Sequence, residues 1–185
     1  MKIAFSLILL FGFFYLTPLI VFSQEITSDF SDLVPFVTTP DEVVEAMLKL
    51  AEIDENDILY DLGSGDGRIP IAAAKLFGAN AIGVEIDAAL VALAKQNALK
   101  SGVSDRVTFV QGDLFEIDFS DATILVVYLF PDINLKLRPK FLKMKPGTRI
   151  VSHRFDMGDW KPEKTERIVL PDGKEHLIYL WRVPQ

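Results

Sequence analysis

The sequence predicts an α/β fold: a doubly wound Rossmann-like sheet, mainly parallel, with a C-terminal antiparallel hairpin. Three observations predict it. Short apolar runs alternate with helical patterns between residues 58 and 152. A glycine-rich loop joins the first of those runs to the next helix. Two late strand-like runs flank the turn Pro171-Asp172-Gly173-Lys174. Alternation requires crossover connections and hence a parallel sheet, whereas a tight turn between two strands makes a hairpin.

The elements follow in chain order. Thr39-Pro40-Asp41-Glu42 starts a helix, with Thr39 as cap, Pro40 in the first position and Glu42 completing a capping box. Val43, Val44, Met47, Leu48 and Ala51 then recur at helical spacing. Residues 58–60 form a strand. Residues 68–77 form a helix that tolerates Pro70 because it falls in the first turn. A strand at 81–84 precedes a helix at 88–100, capped by Asp87 and ended by Gly102. Residues 107–110 form the third strand. Residues 122–129 are nearly all apolar, as a strand buried on both faces must be. Residues 132–145 read as helical but interrupted near Pro139. A fifth strand at 149–152 precedes the hairpin strands 167–170 and 177–182.

Composition narrows the function classes. The chain has 185 residues, 50% of them hydrophobic and 24% charged, enough for one compact domain. It has no cysteine, which excludes a disulfide scaffold, a thiolate metal site and a cysteine nucleophile. His153 and His176 are its two histidines, so a multi-histidine metal centre is excluded, and no metal is expected. The net charge of −7 makes nucleic acid a poor partner, since phosphate contacts need Lys and Arg. Residues 1–23 differ in kind: Lys2 is their one charged side chain, and 3–22 are mainly Ile, Leu, Phe and Val. This segment reads as a signal peptide or a membrane anchor. The expected location is therefore membrane-anchored or exported, with the side of the membrane left open. Residues 24–37 read as a linker and 38–185 as the folded domain.

The informative stretch is Asp61-Leu62-Gly63-Ser64-Gly65-Asp66-Gly67. In a doubly wound sheet, ligands bind outside the carboxyl ends of the strands, where this loop lies. A dinucleotide fingerprint starting at Gly63 needs a third glycine at position 68, which is Arg68. Asp61 and Asp66 also set two carboxylates where a pyrophosphate would sit. A ligand with positive charge and no phosphate suits the loop better, and S-adenosylmethionine has a sulfonium, an amino group and no phosphate. The order acid-x-Gly-x-Gly-x-Gly resembles the first motif of class I methyltransferases.

That resemblance implies roles for positions in and after the loop. Asp61, Gly63, Ser64, Gly65 and Gly67 form the cofactor loop. Glu85, 20 residues after Gly65, accepts the ribose hydroxyls. Asp113 accepts from the adenine amino group, and Ile86 and Leu114 contact the ring. A closer resemblance runs from Val34 to Pro184. It rests on Phe36-Val37-Thr38-Thr39-Pro40, the glycine loop, Gly83-Val84-Glu85-Ile86, Tyr128-Leu129-Phe130-Pro131, Pro146-Gly147-Thr148-Arg149-Ile150-Val151-Ser152 and Trp160-Lys161-Pro162. These blocks are similar to a family of small membrane-anchored protein-lysine methyltransferases, whose mitochondrial members modify adenine nucleotide translocase and the ATP synthase c-subunit. Thr38 departs from it by standing where the pattern has proline. The implied activity is methyl transfer from S-adenosylmethionine to a lysine of a protein substrate, with membrane proteins among the candidates. A small-molecule acceptor, or a membrane-tethered cofactor-binding module without activity, stays open. No Asn-Pro-Pro-Tyr-like segment follows the fourth strand, which disfavours DNA base methylation.

On the acceptor side, the residues leave alternatives. Tyr128 ends the fourth strand and either steers an amine or packs in the core. His153 is either a proton acceptor or a hydrogen-bonded structural histidine. Thr39 is a helix cap that can also contact the cofactor. Phe36 either covers the cofactor or staples onto Val43, and Trp160 and Trp181 read as core.

Overall fold

Residues 37–185 are described by a computed structural model, and the alternating pattern folds there as seven strands and four helices. The strands are β1 (Ile58–Leu62), β2 (Asn80–Glu85), β3 (Val107–Gln111), β4 (Ile124–Val127), β5 (Arg149–His153), β6 (Lys164–Val169) and β7 (Glu175–Arg182). The helices are α1 (Asp41–Leu50), α2 (Arg68–Phe77), α3 (Ala88–Ser101) and α4 (Pro131–Phe141). One sheet contains all seven strands in the order β3-β2-β1-β4-β5-β7-β6. The five strands from β3 to β5 run parallel, and β7 and β6 add on antiparallel. The strand order reverses between β1 and β4, which opens a crevice at their carboxyl ends. Leu62 pairs with both Val84 and Val127, and Val127 with Ser152. The segments leaving β1, β2, β4 and β5 therefore emerge side by side at one edge.

The core explains why this pattern makes three layers. All four residues of β4 are fully buried. Its side chains alternate faces: Ile124 and Val126 pack with Val43 and Met47 of α1, Ala73 of α2 and Ala94 of α3. Leu125 and Val127 pack instead with Leu137 and Phe141 of α4 and with Trp181. Trp181 is wholly buried and donates from Nε1 to the Trp160 carbonyl at 2.8 Å, as the core reading expects.

Several expectations need correction. The helix near Pro139 is continuous and starts at Pro131. Pro139 sits near its end, so the backbone loses one bond, to the carbonyl of Leu135 on an exposed stretch. Thr39 does not cap α1. The cap position is Pro40, with no side-chain bond, and the Thr39 hydroxyl turns to His153 instead. Asp87 does cap α3, accepting from the Ala89 N–H at 2.7 Å. The expected signal peptide or anchor, most of the linker and Phe36 lie outside the described residues. Among the described residues no helix is long and apolar enough to cross a membrane. The expected location, membrane-anchored or exported, is corrected on that finding.

At the opposite edge, where strands begin, a buried ion pair ties the layers. Asp57 is buried and pairs with Arg149 at the start of β5. It also accepts from the Thr123 hydroxyl at 2.6 Å and the Asp54 N–H at 2.8 Å. Arg149 donates further to the carbonyls of Ala51 and Glu52, at 2.8 and 2.9 Å. One pair thus joins the end of α1 to β1, β4 and β5. Removing one partner strands the other charge, so Asp57→Ala is expected to destabilise by about 3 kcal/mol. In a protein of this size that lowers Tm by roughly 6–12 °C. A thermal melt showing less than a ~2 °C change would mean the pair carries no structural weight.

Candidate active site

The glycine loop folds back onto β2. Gly63 and Ser64 donate backbone N–H bonds to the Val84 carbonyl at 2.8 and 3.0 Å, and Gly67 donates to the Ser64 carbonyl at 2.9 Å. Gly63, Gly65 and Gly67 have φ of +84°, +53° and +80°, in the left-handed region that suits glycine. Gly67 is also sterically fixed. A Cβ there would lie 2.5 Å from the Phe109 ring and 2.9 Å from Ala94 Cβ. At Gly63 a Cβ would stand 3.1 Å from Leu129 Cδ2, so the loops after β1 and β4 meet there. Ser64 Oγ is buried and has no hydrogen-bond partner among the described residues.

Charge is concentrated under this loop. Asp61 is 3% exposed, and its carboxyl is pushed up to about 8, chiefly by burial and then by the negative charges of Glu85 and Asp66. Glu85 is half-buried. Its Oε2 accepts from Gly65 N–H at 2.9 Å, and its Oε1 from Ile86 and Asp87 N–H at 2.8 and 3.0 Å. A carboxylate offers about four acceptor positions, so Oε2 keeps one for a ligand. Asp66 is not the free anion that its place in the sequence suggests. Arg68 grips it with Nε at 3.0 Å and Nη2 at 2.6 Å. Arg68 Nη1 also donates to the Thr39 carbonyl at 2.9 Å, and Asn97 Nδ2 to the Asp66 carbonyl at 3.0 Å. Ile86 is exposed beside Glu85, Leu114 is half-buried, and Asp113 accepts from Phe115 N–H at 2.8 Å.

A second group stands where β4 and β5 end. Tyr128 is half-buried, with its ring centroid 4.1 Å from that of His153 and 6.2 Å from that of Phe155, stacked. Phe130 is partly exposed 6.0 Å from Phe155. His153 is buried. Its Nδ1 meets Thr39 Oγ1 at 3.1 Å and its Nε2 meets His176 Nδ1 at 2.9 Å. Burial first, then His176 and Arg154, hold its pKa down to about 4. The structure thus brings Thr39, Tyr128 and His153 together and sets the loop, Glu85 and Asp113 along the same sheet edge. Sequence reasoning missed Arg68, Asn97 and His176. Arg68 was legible as a cation two residues from Asp66. His176 had no local signal, because only the antiparallel return of β7 delivers it.

The loop fits S-adenosylmethionine by the chemistry of its donors: a buried carboxylate beside charges of its own sign, a carboxylate with a spare acceptor position, and an orphaned hydroxyl. A family profile described as the ANTKMT methyltransferase domain matches residues 61–164. The chain belongs to that methyltransferase family. It is 46% identical over 151 residues to a protein named protein-lysine N-methyltransferase from Saccharolobus islandicus, covering 80% of this chain and 92% of that one. It is 33% identical over 132 residues to the ATP synthase c-subunit lysine N-methyltransferase of Rattus norvegicus, covering 71% of this chain but only 60% of the rat protein. A crystal structure described as an RNA methyltransferase from Salinibacter ruber in complex with S-adenosyl-L-homocysteine is 51% identical. It has a TM-score of 0.76 and covers 80% of this chain and 95% of that one. The methyltransferase uses S-adenosylmethionine as its cofactor, and its sheet is the class I methyltransferase sheet.

Asp61 makes stability depend on pH. Its folded pKa lies above the unfolded value of about 3.9, so the folded methyltransferase keeps a proton that the unfolded chain gives up. Stability from this group is therefore full at low pH and falls as pH rises from about 4 to about 8. Asp61→Asn is neutral throughout and removes the fall. Without ligand, its Tm is expected to exceed that of wild type by a margin growing from about pH 5 to about pH 8.5. Calorimetry showing the variant less stable at the upper end of that range would mean that the carboxylate is partnered in the fold.

Proposed function

We propose that this methyltransferase modifies the ε-amine of a lysine in a protein substrate. The observation that carries the reading is the aromatic edge beside the glycine loop. Tyr128 and Phe155 present stacked faces, with Phe130 partly exposed next to them. Such faces receive the aliphatic stem and the cationic head of a lysine. The named activity of the archaeal relative, at 46% identity, supports the same acceptor. A net charge of −7 favours a basic protein target and disfavours RNA, whose phosphates need Lys and Arg contacts.

Site roles follow from the geometry. Asp61, with Gly63, Ser64, Gly65 and Gly67, would hold the charged amino-acid end of the cofactor. The spare position of Glu85 would take a ribose hydroxyl. Asp113, Ile86 and Leu114 would border the adenine, as the class I resemblance implies, and Thr39 would close the side nearest His153. When bound, S-adenosylmethionine supplies a methyl group on a sulfonium, which needs no acid or metal to activate it. The protein's task is then alignment and exclusion of water. Tyr128, held against His153 and Phe155, fixes the direction of the incoming stem. The attacking nitrogen must be neutral, so a proton has to leave the ammonium, and His153 is the titratable group in contact with Tyr128.

The test uses the full chain with methyl-tritiated S-adenosylmethionine and a cell lysate. Label that resists ribonuclease, is released by protease and is recovered as methyl-lysine is expected. Ribonuclease-sensitive label would move the acceptor to RNA, and label confined to small molecules would move it to metabolites. Glu85→Gln keeps the side chain's shape but removes its charge. It is expected to weaken S-adenosylhomocysteine binding by about 100-fold, the worth of one or two charge-assisted bonds, as measured by calorimetry. Unchanged binding would remove Glu85 from the cofactor site.

A further inference from the structure

We propose that Asn134 is a positioning residue for the acceptor: it fixes the gap between Phe130 and Phe155, and with it the length of amine stem that the aromatic edge accepts. This rests on the lysine reading above. Asn134 lies in the first turn of α4 and is fully buried. Its backbone N–H donates to the Phe130 carbonyl at 3.1 Å. Its side-chain Nδ2 donates to the Asp156 carbonyl at 3.3 Å. One residue thus bonds the backbone at Phe130 and the peptide just after Phe155. These are two of the three rings of the edge, with centroids 6.0 Å apart.

The segment that carries Phe155 is held more tightly than a surface loop needs. Three successive carbonyls, those of Phe155, Asp156 and Met157, each accept from a side chain. Ser152 Oγ takes the first at 2.6 Å, Asn134 the second, and Arg138 Nη1 the third at 2.9 Å. Ser152, like Asn134, is fully buried. The turn before these carbonyls is strained. Arg154 has φ of +71°, which a side chain of its size rarely adopts, and Phe155 N–H returns to the His153 carbonyl at 2.9 Å to close a three-residue turn. Arg154 N–H anchors that turn by donating to the Leu177 carbonyl at 2.7 Å. Gly158 lets α4 seat closely against the loop, since a Cβ there would stand 3.0 Å from Leu135 Cδ2. Strain of this kind persists where the surroundings over-determine it, and here it sets the Phe155 ring 6.2 Å from that of Tyr128.

The choice of asparagine points the same way. Its Oδ1 is buried and has no hydrogen-bond partner among the described residues. An unpaired buried oxygen costs stability, and a leucine of similar size would avoid that cost. What leucine cannot do is hold the Asp156 carbonyl. Rings held through backbone bonds keep one spacing, where rings held by packing alone can shift. An edge of fixed spacing discriminates between stems that differ by a single methylene. A stem shorter than that of lysine, lying between the same rings, stops short of the sulfonium methyl.

The test compares wild type, Asn134→Leu and Ser152→Ala as full chains with methyl-tritiated S-adenosylmethionine. The acceptors are poly-L-lysine and poly-L-ornithine, whose side chain is one methylene shorter. Wild type is expected to prefer lysine by roughly 30-fold in kcat/KM, within the range that one methylene is worth. Asn134→Leu is expected to raise KM for poly-L-lysine about 10-fold with kcat nearly unchanged, and to cut the preference to about 3-fold. Ser152→Ala releases the neighbouring carbonyl and should move both quantities the same way, so a poorly folded Asn134→Leu does not end the test. Calorimetric binding of S-adenosylhomocysteine should match wild type in both variants. A residue that serves the fold alone would lower kcat for both polymers by one factor and keep the preference, and that result overturns the proposal. So does a wild type that methylates the two polymers equally, or one that labels lysine in a lysate but not in poly-L-lysine, since selection then rests on more than the stem. If wild type labels no lysine in either polymer or lysate, the lysine reading itself fails and the positioning role falls with it. If wild type shows the preference and both variants keep it, the positioning role alone falls.

Discussion

A carboxylate buried at the end of β1 sets the terms for the site. The charges that act on Asp61, those of Glu85 and Asp66, have its own sign, so the empty fold favours its protonated form. The neighbourhood reduces that repulsion at every other point. Arg68 neutralises Asp66, and three backbone N–H groups gather on Glu85. Among the described residues, no positive charge acts on Asp61 in that way. A ligand that brings a positive charge relieves the strain, whereas a phosphate would add to it. Selectivity for a cationic cofactor thus follows from where the protein places its fixed cation and where it withholds one.

The two edges of the sheet divide the work. At the amino ends, Asp57 and Arg149 satisfy each other and tie α1 to three strands. At the carboxyl ends, polar groups are left short: Asp61 carries a perturbed charge, and Ser64 Oγ and His176 Nε2 lack partners among the described residues. The amino edge therefore closes its buried charges on each other, whereas the carboxyl edge, where Arg68 pairs with Asp66, still leaves Asp61 among charges of its own sign. The strand order makes this division possible. Reversal between β1 and β4 places the loop after one beside the segment after the other, and the contact of Gly63 with Leu129 keeps them together.

How much of this the sequence carried depends on the range of the interaction. The helix at 68–77 and the Asp87 cap were legible because a turn's worth of residues determines them. Most strands were drawn short, since edge residues such as Glu175 and Lys164 look like loop until a partner strand is known, whereas the fourth, expected over 122–129, spans only Ile124–Val127. Thr39 shows the limit most clearly. Its local pattern is that of a helix cap, yet its hydroxyl bonds to His153, 114 positions away. Tertiary pairing overrode a local preference worth about 1 kcal/mol. His176 was invisible for the same reason, as it joins the site only because β7 runs back against β5.

The cofactor side and the acceptor side differ in kind, and this explains why one was readable and the other was not. The residues we assign to the cofactor lie in one contiguous loop and at two strand ends, so their signature lies in short stretches of chain. The edge we assign to the acceptor draws its residues from the approach to α1, the ends of β4 and β5, and the returning β7. Thr39, Tyr128, His153 and His176 are joined by two hydrogen bonds and two ring contacts, none of them local in sequence. Each link orients the next. The Thr39 hydroxyl and the His176 ring clamp the imidazole from opposite sides, and the imidazole in turn backs the Tyr128 ring. His176 is thus linked to the Tyr128 ring through His153, and no hydrogen bond joins it to the glycine loop among the described residues. The two halves of the reaction can vary separately on one sheet.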